Sequence, residues 1–160
     1  VDTGENSMTG GRLAKVAEYV ENEEAFCFTY GDGVSDIDIS KLIKFHKEHG
    51  KDATLTAAYS PARFGALDIQ NQKILRFTEK PVGDGSLING GFFVLSPNVL
   101  SRLTGDDCVW EQEPLRGLAS DGNLMAYTHK GFWQPMDTLR EMTYLQKLWD
   151  SGNAPWKTWK

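Results

Sequence analysis

The sequence predicts an α/β domain, with a mixed, mainly parallel sheet flanked by helices. Three observations carry that expectation. The run Ala25-Phe26-Cys27-Phe28-Thr29-Tyr30 is almost wholly apolar, the texture of a strand buried on both faces. A helical period and a second extended run follow it, which is the strand–helix–strand order of a crossover unit. The chain has 160 residues, 40% hydrophobic and 24% charged, so it can build a core and is not a disordered polyelectrolyte.

Each element has a local reason. Leu13, Val16, Ala17 and Val20 recur at i, i+3, i+4 and i+7, predicting a one-sided helix from Arg12 to Val20. Gly10-Gly11 precedes it, with Ser7 and Thr9 as candidate caps. The strand at 25–30 ends at Gly31-Asp32-Gly33, and Cys27 within it is expected in the core. A second helix runs from Ser40 to His49 with Leu42, Ile43 and Phe45 inward and Gly50 as its stop. Ala53 to Tyr59 is the next strand. After Pro61 come shorter extended segments, Phe64 to Ile69, Ile74 to Thr78 and Leu87 to Leu95, the first two joined at an Asn71-Gln72 turn. Ser96-Pro97 opens another helix. Gln112 to Ser120 is helical, Leu124 to His129 a strand and Phe132 to Met136 extended. Thr138 to Trp149 closes the pattern as a helix whose apolar face is Leu139, Met142, Leu145, Leu148 and Trp149, before an aromatic tail with Trp156 and Trp159.

Composition excludes some function classes. Lys and Arg number 17 against 22 Asp and Glu, a formal net charge of −5 without the basic stripe of a nucleic-acid binder. No run reaches the roughly 20 apolar residues of a membrane span. Cys27 and Cys108 are expected as reduced thiols of a cytoplasmic protein.

Three segments could carry chemistry. In Tyr30-Gly31-Asp32-Gly33 a carboxylate follows a buried strand, at the sheet edge where open α/β folds bind ligands. A plain strand-ending turn fits the same residues. In Phe77-Thr78-Glu79-Lys80-Pro81, Lys80 is either a point charge for a phosphate or half of a surface ion pair with Glu79. In Gly131 to Thr138, Asp137 is either the cap of the last helix or a second metal carboxylate, while Trp133 fits a core position. His46 and His49 share a helix face but lack further ligands for zinc. Asp36-Ile37-Asp38 is a literal Asp-x-Asp, as some glycosyltransferases use for metal and nucleotide, and its place before a helix suits service at the helix amino end.

Together, Thr9-Gly10-Gly11-Arg12, Tyr30-Gly31-Asp32-Gly33, Arg63-Phe64-Gly65-Ala66-Leu67-Asp68, Glu79-Lys80-Pro81, Ile88-Asn89-Gly90-Gly91-Phe92-Phe93, Trp110-Glu111-Gln112-Glu113-Pro114-Leu115 and Gly131 to Arg140 stand in family order. The sequence resembles the sugar-1-phosphate nucleotidyltransferases, and among them the branch that uses CTP and glucose 1-phosphate. The resemblance implies their Rossmann-like nucleotide-diphospho-sugar transferase fold and synthesis of CDP-glucose with release of pyrophosphate. It implies Mg²⁺ on Asp32 and Asp137. Ser7, Gly10, Gly11, Arg12 and Gly31 would meet the nucleotide, Lys80 the sugar phosphate, and Gly65, Glu79, Asn89 and Gly90 the sugar. Glu111 and Glu113 are weaker sugar candidates. It further implies a cytoplasmic homo-oligomer in lipopolysaccharide O-antigen synthesis, with no nucleic-acid or membrane partner.

The family's opening Gly-Gly-x-Gly-Thr-Arg loop and the lysine after it do not occur. The expectation is therefore a partial domain over 1–160, inactive alone, with 1–60 as the nucleotide-binding part and 61–160 as the sugar-phosphate-binding part and last helix. Two other classes are compatible with the residues: a nucleotide-sugar binding or assembly module without catalysis, and a metal-dependent glycosyltransferase using Asp36 and Asp38.

Overall fold

A computed structural model describes residues 1–60, 66–78 and 87–159. The elements are helix α1 (Thr9–Lys15), a 3-10 turn (Ala17–Tyr19), strand β1 (Phe26–Thr29), β2 (Gly33–Ser35), helix α2 (Ile39–His49), β3 (Ala53–Tyr59), β4 (Ala66–Gln70), β5 (Lys73–Thr78), β6 (Leu87–Leu95), a 3-10 helix (Pro97–Arg102), α3 (Glu113–Ser120), β7 (Leu124–His129), β8 (Trp133–Pro135) and α4 (Leu139–Asp150). This is the expected α/β class with a mixed sheet. The chain divides into two compact units that interleave in sequence: 1–29 with 39–55 and 92–127, and 30–38 with 56–91 and 128–160.

The four-stranded sheet has the order β1-β6-β3-β7. The connection from β1 through α2 to β3 crosses over β6, which lies between them and runs antiparallel to β1, from Phe26 opposite Leu95 to Thr29 opposite Phe92. β1 is the end strand of this order, and its burial alternates along the strand. Phe26 is buried and Phe28 half-buried, while Cys27 and Thr29 alternate outward. Cys27 is therefore an exposed free thiol, not the expected core residue, and Cys108 is the buried one. The inner strand β3 does have the near-continuous burial of a covered strand, from Ala53 through Ala58.

In the first unit, the rings of Phe28, Phe93 and Trp110 form a triangle with centroids 5.6, 6.1 and 5.9 Å apart. Helix α2 buries Leu42 and His46 and stops at Gly50 (φ +63°). His46 Nδ1 and His49 Nε2 both lie on the Thr54 hydroxyl, at 2.9 and 2.6 Å. Helix α1 begins earlier than its apolar period suggests and contains Gly10 and Gly11 instead of following them. Met8 holds the cap position without a side-chain bond, and Ser7 is turned to the Thr3 carbonyl. The helix expected after Ser96 is 3-10, capped by Ser96.

In the second unit, β4 and β5 form the expected hairpin, with Asn71 (φ +48°) and Gln72 (φ +65°) as its turn. Helix α4 buries Leu145, whereas Leu139, Met142 and Trp149 of the expected apolar face point to solvent. No helix among the described residues is long and apolar enough to cross a membrane.

Candidate active site

Among the described residues, the second unit holds Gly31, Asp32, Asn89, Gly90 and Asp137. Strands β2 and β8 pair antiparallel, Gly33 opposite Pro135, Val34 opposite Gln134 and Ser35 opposite Trp133. The pairing continues past the strands, where the Met136 N–H donates to the Asp32 carbonyl at 2.7 Å. Asp32 and Asp137, far apart in sequence, therefore sit at one end of one ladder. Both are exposed, and neither carboxylate takes a hydrogen bond or ion pair from another described residue.

Asp137 is not the cap of the last helix. Thr138 is, its hydroxyl accepting the Glu141 N–H at 3.2 Å, while Glu141 Oε2 accepts the N–H groups of Asp137 and Thr138, each at 3.0 Å. That reciprocal capping box satisfies the helix start without the Asp137 carboxylate. Two bare, hard oxygen donors at one ladder end fit a cation such as Mg²⁺, which takes one or two carboxylates and fills its shell with phosphate oxygens and water. Among the described residues no group of three or more His, Cys, Asp or Glu gathers as a closed metal cage.

Tyr30 and Trp133 join this region and were not read as site residues from the sequence. The Tyr30 N–H donates to the Gly91 carbonyl at 3.1 Å, and its hydroxyl accepts from Asn89 Nδ2 at 3.3 Å. Asn89 Oδ1 accepts the Gly91 N–H at 2.8 Å, which orients the amide. The Trp133 indole N–H donates to the Gly90 carbonyl at 2.8 Å, so a side chain read as core anchors the strand beside Asn89. Gly31, between Tyr30 and Asp32, has open space where a Cβ would stand. The only sequence signal for these contacts was that both aromatics flank the Gly-rich blocks.

Asp36 does not serve the amino end of α2. It is half-buried and pairs with His129, Oδ1 to Nε2 at 2.9 Å, and Ser35 Oγ lies 3.1 Å from the same nitrogen. An Asp-x-Asp pattern alone cannot reveal a partner so distant in the chain.

The predicted nucleotide residues Ser7, Gly10, Gly11 and Arg12 lie in the first unit. The N–H groups of Gly10 and Gly11 both donate to the Cys108 carbonyl, at 2.9 and 3.1 Å. A Cβ on Gly10 would stand 2.6 Å from Cys108 Sγ, and one on Gly11 2.5 Å from the Asp106 carbonyl oxygen. Close packing of α1 on segment 106–108 thus accounts for both glycines. Ser7 is buried and accepts from Lys15 Nζ at 2.8 Å. Arg12 is exposed, its guanidinium donating to Thr3 Oγ1 at 2.8 Å and the Glu5 carbonyl at 3.1 Å. Glu111 Oε2 accepts from Thr9 Oγ1 at 2.8 Å, and Glu113 is exposed at the first turn of α3. Gly65, Glu79 and Lys80 lie outside the described residues.

Residues 4–134 match the Nucleotidyl transferase family. The chain is 64% identical over 160 residues to the glucose-1-phosphate cytidylyltransferase of Salmonella typhi, covering 100% of this chain and 62% of that protein. It is 40% identical over 160 residues to the probable glucose-1-phosphate cytidylyltransferase of Bacillus subtilis, covering 99% of this chain and 62% of that one. The chain therefore spans less than two thirds of the length of these relatives. In fold it is similar to the crystal structure of HddC from Yersinia pseudotuberculosis, with a TM-score of 0.68 at 20% identity over 91% of this chain and 64% of that one.

Proposed function

The chain belongs to the nucleotidyl transferase family, and from that premise we propose that it carries the catalytic region of an enzyme transferring a cytidylyl group from CTP to glucose 1-phosphate. The observation that carries this reading is 64% identity to the Salmonella typhi cytidylyltransferase across the whole chain. A phosphate oxygen of glucose 1-phosphate attacks the α-phosphorus of CTP in line. The new oxygen–phosphorus bond forms as the bond to the bridging oxygen breaks, and pyrophosphate leaves with that electron pair. The nucleophile is anionic near neutral pH, so the reaction needs alignment and charge compensation rather than a base.

Each residue then has a task. Asp32 and Asp137 hold a divalent cation, which when bound offsets the charge of the triphosphate. Lys80 meets the sugar phosphate as a point charge. Asn89, oriented by Tyr30 and Gly91, lines the sugar site with Gly65, Glu79 and Gly90. Gly31 lies against the nucleotide. The exposed Leu139, Met142 and Trp149 support a homo-oligomer. A glycosyltransferase using Asp36 is disfavoured, because that carboxylate is already paired with His129.

Residues 1–160 alone are expected to be inactive, since no glycine loop is present to hold the leaving phosphates. Pyrophosphate release with CTP, glucose 1-phosphate and Mg²⁺ tests the reading. The chain alone should give none, and a chimera extended with the amino-terminal segment of the Salmonella typhi relative should turn over. In that chimera Asp32→Asn should lower kcat by about 10²-fold or more. Lys80→Ala should raise KM for glucose 1-phosphate far more than for CTP. Robust turnover by residues 1–160, or an Asp32→Asn chimera as active as its parent, would overturn it.

A further inference from the structure

The pairing of Asp36 with His129 has no task in that chemistry, yet it sits at the other end of the ladder that carries Asp32 and Asp137. The ladder is short, with three residues in each strand. It is prolonged at one end by the Met136 N–H on the Asp32 carbonyl and at the other by the Asp36 N–H on the Phe132 carbonyl at 3.2 Å. An isolated two-stranded ladder is marginal in water. Opening of the ladder would free the segment that carries Asp32 from the one that carries Asp137.

His129 supplies what the strands lack. Its Nε2 lies 3.1 Å from Ser35 Oγ, 3.2 Å from the Phe132 carbonyl oxygen and 2.9 Å from Asp36 Oδ1. The Ser35 hydroxyl donates its own proton to the same Phe132 carbonyl at 2.8 Å. The Phe132 carbonyl oxygen only accepts, so in that contact His129 Nε2 donates. One nitrogen thereby ties residues of the β2 side, Ser35 and Asp36, to Phe132 on the β8 side. The His129 side chain is only 11% exposed, and Asp36 Oδ1, buried and without a hydrogen bond among the described residues, has His129 Nε2 as a close polar neighbour. Without the imidazole that oxygen would face an apolar gap. Gly131 leaves room for the knot, since a Cβ there would overlap the Asp36 carboxylate and approach His129 Cε1 to 2.8 Å.

We propose that His129, with Ser35 and Asp36, is a positioning residue: it holds β2 on β8 and so keeps closed the ladder end at which Asp32 and Asp137 would hold the cation. This rests on the reading of those aspartates given above. His129→Leu removes the N–H at similar bulk, and His129→Gln restores an N–H donor. Amide exchange in residues 1–160 reads the ladder directly. In His129→Leu the Met136 amide should exchange about tenfold faster while the β1–β6 amides keep their protection. His129→Gln should recover most of the difference, and Asp36→Asn, which leaves an acceptor in place, should fall between. Binding of Mn²⁺, followed by the paramagnetic resonance of the free ion, reads the consequence. Affinity should fall about tenfold in His129→Leu, as for other residues that support metal ligands, and recover in His129→Gln.

Unchanged Met136 exchange in both His129→Leu and Asp36→Asn overturns the inference. So does a His129→Leu protein that matches His129→Gln in both measurements, because filling space would then suffice. Faster Met136 exchange with undiminished Mn²⁺ binding overturns the positioning role while leaving the aspartates in place. Mn²⁺ binding that survives Asp32→Asn overturns the cation reading itself, and this inference with it.

Discussion

The two compact units place their aromatic residues differently. In the first, Phe28, Phe93 and Trp110 meet edge to face or tilted, and Trp110 is 0% exposed. In the second, α4 buries Leu145 but leaves Leu139 74% exposed. Its aromatics pair near the surface, Phe132 with Trp156 at 5.5 Å and Trp149 with Trp159 at 6.5 Å, with Lys157 Nζ 5.6 Å from the Trp149 ring centre. The buried ring cluster of the first unit is drawn from its own residues. The second leaves apolar side chains of α4 exposed, and its Asp32 and Asp137 carboxylates take no partner among the described residues. Surfaces of that kind are what ligands and further subunits use.

The sharpest way to break this contrast is Trp110→Ala. Removing a fully buried indole from a ring cluster should cost about 3–5 kcal/mol, read as a lower urea midpoint at unchanged slope. A loss under 1 kcal/mol would mean that the aromatic triangle is not the first unit's anchor.

A pH titration probes the same unit with a smaller effect. Burial lowers the pKa of His46, with the neighbouring His49 adding to it, while Asp52 and Glu24 act the other way. Burial also lowers that of His49, followed by the charge of Lys51. One Thr54 hydroxyl can donate to one ring nitrogen and accept from the other while both imidazoles are neutral. Two imidazolium rings 5.2 Å apart would repel across it. Above the ordinary value of 6.5 both residues are neutral folded and unfolded, and nothing changes. Below it the unfolded chain binds protons that the folded chain resists, so stability should fall as pH drops under 6.5. Melting temperature between pH 8 and 5 measures this, and His46→Asn should flatten the profile. A melting temperature that rises on acidification would contradict the sign.

The smallest effect belongs to the second unit. Leu139→Ser should change stability by no more than about 0.5 kcal/mol, because the side chain is already in water. The same substitution should weaken self-association in sedimentation if α4 contributes to an oligomer. A large loss of stability in a monomer would show that Leu139 is covered after all.

Much of the local structure was legible from residue order. The strands at 53–59 and 124–129 and the Asn71-Gln72 turn follow from β-branched and apolar runs and from turn chemistry acting over a few residues. α1 starts ahead of the apolar period that marks it, and Gly10 and Gly11 lie inside it because their lack of a Cβ allows α1 to lie on Cys108 and Asp106. The apolar period of α4 was real, but periodicity cannot say how much of a face finds a partner.

By itself, then, the sequence determined most of the helices, strands and turns, the motif blocks in their order, and through them the family. Those features depend on neighbours within about one or two turns of chain. Only the tertiary structure decided that β6 stands between β1 and β3, that Cys27 faces out, and that Thr138 rather than Asp137 caps α4. It alone placed Asp32 beside Met136 and His129 on Asp36. The physical reason is that each of these is settled by partners brought together when the chain closes on itself. A residue's own neighbourhood states its preferences, and the distant partner selects among them.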